Sequence, residues 1–121
     1  MNSDRQKTVQ SLIELSRPLD FVAEEIHKFK WDYDGETVEL RPNHLLAILN
    51  AFLEGHMSAD EVEKWANLVE GREDISFEPA SRDWIEQAIY ELANPALTTP
   101  LTRDRARELV KSCPTKKGGA N

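Results

Sequence analysis

The chain of 121 residues is 40% hydrophobic and 31% charged with a formal net charge of −7, the profile of one globular domain with a single modest core. Its longest uncharged apolar stretch, residues 44–53, falls short of the ~20 residues that span a bilayer, and its opening, MNSDRQKTVQ, lacks the apolar core of a secretory signal. The lone Cys113 excludes an internal disulfide, so the expected compartment is the reducing cytoplasm.

Charge is unevenly spread. Residues 54–91 carry eleven acidic and three basic side chains, a balance of −8, whereas residues 92–121 carry two acidic and six basic, a balance of +4. An acidic middle repels phosphate backbones, which argues against nucleic acid and favours a cationic partner. The plainer alternative is a solvated, solubilising surface.

In chain order, Ser3 with Gln6 reads as a capping box opening a first helix, with Val9, Leu12 and Ile13 at helical spacing. Pro18 suits the start of a second helix, lined by Leu19, Val22, Ala23 and Ile26. The period then changes. In FKWDYDGETVEL, Asp34-Gly35 is a two-residue hairpin signal that predicts a β-hairpin over residues 29–40, pairing Tyr33 with Glu36, Trp31 with Val38 and Phe29 with Leu40. Pro42 starts a third helix, apolar on most of its circumference, which Gly55 ends. Ser58 with Glu61 is a second capping box, opening a fourth helix whose buried face is Val62, Trp65, Ala66 and Val69. Its close connection to the third helix predicts an antiparallel pair. Ser81 is expected to cap a fifth helix that Asn94-Pro95 stops, and Thr102 a last one. The expected core is Trp31, Leu46, Leu49, Phe52, Trp65, Val69, Ile85 and Ile89. The fold class is therefore mainly α: a single helical domain over residues 1–112, five to six helices with one hairpin, and a disordered tail over 113–121.

The stretch WANLVEGRED, residues 65–74, concentrates the candidate functional side chains. As structure, Gly71 supplies a left-handed helix end, Arg72 complements the last carbonyls, and Glu73 or Asp74 pairs with Arg72 or accepts amides of the next loop. As function, Glu70, Glu73 and Asp74 form an anionic cluster beside an arginine. Glu63, Glu70, Arg72, Glu73 and Asp74 are accordingly the candidate interaction residues.

No catalytic residue, metal ligand or cofactor is expected. His27, His44 and His56 share no ligand spacing, one cysteine provides no tetrahedral set, and each internal glycine has a turn or cap to explain it.

Residues 19–110 resemble a family of small uncharacterised bacterial helical proteins, through WDYDG at 31–35, FLEGHMSADEVEKWANLVEGRED at 52–74 and ELANP at 91–95. That resemblance implies no particular activity. ILNAFLEGHMSADEVEKW, residues 48–65, is also similar to the opening of helical immunity proteins of the colicin D type. That similarity implies an acidic face able to neutralise a basic, tRNA-cleaving toxin domain. The leading expectation is a non-enzymatic, protein-binding module with an acidic face, an immunity-type inhibitor being one concrete form. The alternatives are a small structural or regulatory homodimer and a carboxylate metal-binding enzyme.

Overall fold

A computed structural model of the chain describes residues 2–31 and 33–114, with side chains from residue 4 onward. Among these residues the order is α1 (Asn2–Glu14), α2 (Leu19–Ile26), β1 (Val38–Leu40), α3 (Pro42–Leu53), α4 (Ala59–Val69), β2 (Ile75–Phe77), α5 (Arg82–Ala93) and α6 (Arg103–Ser112). A 3-10 turn, Pro79–Ser81, leads into α5. The protein is mainly α, with six helices and one small sheet among the described residues.

Helix ends follow the sequence closely. Ser58 Oγ accepts from the Glu61 amide at 3.1 Å while Glu61 accepts from the Ser58 amide at 2.9 Å, so both orphan donors are satisfied reciprocally. Thr102 Oγ1 accepts from the Arg105 amide at 3.1 Å and caps α6. Gly55, at φ 85°, lets the His56 amide reach back to the Ala51 carbonyl at 2.8 Å. Leu15 does the same work at the end of α1 with φ 47°, the Ser16 amide reaching the Ser11 carbonyl at 3.2 Å.

Two local expectations are corrected. Ser81 does not cap α5 through its side chain; its hydroxyl donates back to Glu78 at 3.0 Å within the 3-10 turn. Cys113 is not part of a tail: it is 4% exposed and its amide closes α6 on the Val110 carbonyl at 3.2 Å. The Ser3 capping box and residues 115–121 lie outside the described side chains and residues.

The hairpin is the largest correction. β1 pairs instead with β2 in parallel, Val38 opposite Ile75, Glu39 opposite Ser76 and Leu40 opposite Phe77. A type I′ turn needs positive φ at both central residues, and neither Asp34 nor Gly35 has it. Gly35 serves a different purpose, since a Cβ there would collide with the Tyr33 ring. The carbonyls of Phe29, Lys30 and Trp31 are also committed elsewhere, to Arg72, Arg5 and the Glu73 amide, so no ladder forms on that side. The two short strands are joined through α3 and α4, the kind of crossover that parallel pairing requires.

α4 packs most extensively on α5, α3 on α6 and α1 on α2, while α3 and α4 touch more lightly. Trp65 sits at the centre, fully buried, its indole N–H donating to the Leu12 carbonyl of α1 at 2.7 Å. Leu49, Val69, Ile85 and Ile89 are buried around it as expected. Leu46 and Phe52 are only half-buried. Trp31 is not core at all: it is 45% exposed.

Candidate interaction surface

The two faces of α4 have different partners. Val62, Trp65, Ala66 and Val69 are buried. On another side, Asp60, Glu63, Lys64 and Asn67 repeat the i, i+3, i+4, i+7 spacing as a polar stripe. Gly71, at φ 84°, then turns the chain so that Arg72 and Asp74 point inward while Glu73 remains exposed.

Arg72 and Asp74 form a two-pronged ion pair, with both contacts at 2.9 Å and each side chain 2% exposed. Arg5, from α1, adds a third group, its Nε donating to Asp74 at 2.9 Å. Burial pushes the Asp74 carboxyl up, but the hydrogen bonds and charges of Arg72 and Arg5 outweigh it and hold the group below the usual carboxylate range. The spare donors of both guanidiniums bond to the Lys30 carbonyl, and Arg72 also reaches the Phe29 carbonyl at 3.5 Å. Rings stack around the charges: the Arg5 guanidinium lies 4.1 Å from the Tyr33 centroid and that of Arg72 5.0 Å from the Trp31 centroid. Phe29, Lys30, Trp31 and Tyr33 are thus clamped by an ion triad rather than by a strand partner.

The clamp fixes Trp31 on the surface beside the polar stripe. Its backbone carbonyl accepts from the Glu73 amide at 2.9 Å, and the Tyr33 amide donates to the Glu73 carboxylate at 3.2 Å. Trp31 and Leu68, with Asp60, Glu63, Lys64 and Asn67, line an open groove of about 450 Å³. Lys64 turns its charge onto Asp20 at 2.8 Å, which holds the Asp20 carboxyl below its usual value. Asp60 and Glu63 have no ion pair or side-chain hydrogen bond among the described residues, so the net field over the groove is negative.

The five candidate residues therefore do not form one cluster. Glu63 lines the groove. Glu73 is exposed and accepts from the Tyr33 amide rather than lining the groove. Glu70, partly buried, accepts from the Asn94 side chain at 3.2 Å and ties α4 to the end of α5. Arg72 and Asp74 are interior and structural. Sequence reasoning missed Trp31 and Asp60. The signal for Asp60 was the polar stripe of α4; for Trp31 it was the dense run of polar neighbours in KWDYDGE.

The histidines have local explanations. His44 Nδ1 accepts from the Arg41 amide at 2.9 Å at the start of α3, and burial lowers its pKa. His56 is exposed and lies 3.6 Å from Glu54, and His27 is exposed. Among the described residues, no three His, Cys, Asp or Glu side chains are grouped to hold a metal ion. No described helix is long and apolar enough to cross a membrane. No family model, curated protein or solved structure matches this chain.

Proposed function

We propose that the protein is a non-enzymatic interaction module that receives a cationic protein partner on the face formed by Trp31 and the outer side of α4. An immunity-type inhibitor of a basic toxin is a concrete form of that reading. The carrying observation is the exposed indole of Trp31, held by the Arg72 stack beneath it and bordered by the carboxylates of Asp60 and Glu63, which have no ion pair among the described residues. A large aromatic side chain fixed before binding loses little conformational entropy on contact, and such residues dominate interface energetics. Such acids beside it select a basic partner and speed its approach.

Affinity capture from lysate at low ionic strength, with captured proteins identified by mass spectrometry, tests this reading. A specific basic protein is expected, released as salt is raised and lost with Trp31→Ala and Glu63→Lys. The charge-matched Glu86→Lys, on α5, should leave capture unchanged. Capture that is insensitive to both groove substitutions would remove the reading.

A further inference from the structure

The Trp31 groove has a neighbour. A second, smaller depression of about 160 Å³ lies between the first turns of α4 and the loop after α5, and Asp60 and Glu63 line both. We propose that this pocket receives a basic side chain, an arginine or a lysine, from the partner that docks on Trp31; the inference rests on that docking face and assigns the second contact point.

The pocket is smaller than the roughly 300–1,000 Å³ of a site for a free small molecule. It has room for one side chain. Val62, Leu92, Pro95 and Leu101 supply apolar walls, and Asp60, Glu63 and Glu91 bring carboxylates. Glu91 is already neutralised by Arg105, whose guanidinium grips it in two contacts of 2.7 Å. That leaves two carboxylates without an ion pair among the described residues. An apolar wall with uncompensated negative charge matches a side chain with an aliphatic stem and a cationic head. The positive end of the α4 dipole opposes a cation there, but it amounts to about half a charge, against two full charges of opposite sign. An anion would meet both carboxylates directly.

The pocket is also built before any partner arrives. Thr98 Oγ1 donates to the Asn94 carbonyl at 2.8 Å and to the Glu91 carbonyl at 3.2 Å. The Leu97 amide bonds to the Asn94 carbonyl at 3.0 Å. Pro95 and Pro100 further restrict the loop backbone. Because the groove and the pocket share Asp60 and Glu63, one short segment of partner reaches both.

The test is an amide-resolved NMR titration of the full chain at low ionic strength with Nα-acetyl-arginine amide, Nα-acetyl-lysine amide and the neutral isostere Nα-acetyl-citrulline amide. Saturable shifts at residues 59–63 and 91–101 are expected with either cation and not with citrulline. They should be lost in Glu63→Gln and kept in Trp31→Ala. Equal shifts with citrulline, or no shift at the pocket with either cation, overturn the proposal. A deca-lysine peptide separates this failure from that of the underlying reading. If the peptide binds in a salt-sensitive way around Trp31 while the pocket amides stay still, only the pocket assignment fails. If it does not bind, the docking face fails with it.

Discussion

Arg72 and Asp74 stand two residues apart and grip each other through two 2.9 Å contacts in the interior, with Arg5 of α1 closing on the same carboxylate. The pair joins the end of α4 to the segment around Trp31, so it connects the core to the candidate surface. Breaking a buried pair by removing one partner leaves an uncompensated charge, which costs about 3–5 kcal/mol. Arg72→Ala is expected in that range by chemical denaturation. Arg5→Ala should cost less, about 1–3 kcal/mol, because Arg5 is 15% exposed and Asp74 keeps both of its contacts with Arg72. Near-equal losses would show that Asp74 is shared evenly between the two arginines.

Acid should find the same pair. The folded pKa of Asp74 is depressed, so between it and the unfolded value of about 3.9 the unfolded chain binds more protons. The contribution of Asp74 is therefore fully present above about pH 4 and is lost as pH falls through the folded pKa. Stability measured between pH 2 and 5 should drop steeply in the native chain. Asp74→Asn should begin lower and fall less.

His44 produces a separate limb at higher pH. Its pKa is lowered first by burial, and its Nδ1 must remain unprotonated to accept the Arg41 amide at 2.9 Å. With the folded value below the unfolded one of about 6.5, stability declines as pH falls below about 6.5 and levels off beneath the folded value. Denaturation midpoints from pH 5 to 8 should show this slope, and His44→Asn should abolish it.

Most of the helical framework was legible because its signals are local. Ser58-x-x-Glu61, Thr102, Gly55, Gly71 and Asn94-Pro95 each act within one helical turn, and the apolar spacing around Trp65 needs no knowledge of the partner helix. The sheet was not legible, since β1 and β2 lie 37 residues apart in register, and nothing within DGETVEL distinguishes a partner across a hairpin from one beyond two helices. Trp31 failed for a related reason. Its aromatic character suggested core, but the cation beneath its ring comes from Arg72, and only the fold brings the two together. Among the candidate residues, Asp74 was read correctly as a pairing option for Arg72, and its burial was invisible because Arg5 sits at the other end of the chain.

The turn at Gly71 sends Arg72 inward and carries a backbone requirement with no packing component. Gly71 has φ 84°, and a Cβ there would touch nothing within 4 Å. Gly71→Ala is therefore expected to cost about 1–2 kcal/mol through the left-handed backbone alone, with no new clash. The converse holds at Leu15, which adopts φ 47° with a full side chain. Leu15→Gly relieves that strain but removes an apolar side chain packed against the core, so its net effect should be smaller than that of Gly71→Ala.

Trp31 and Trp65 make opposite predictions from the same residue type. Trp65 is fully buried and hydrogen-bonded to Leu12, so Trp65→Ala should cost about 3–5 kcal/mol as a core truncation. Trp31 loses mainly its stack with Arg72, worth about 0.5–2 kcal/mol, on substitution by alanine. The comparison separates stability from binding: Trp31→Ala should keep the fold and its denaturation midpoint nearly intact while abolishing capture of the basic partner. Equal destabilisation by both substitutions would mean that the Trp31 indole supports the core, and its exposure on the surface would then carry no argument for docking.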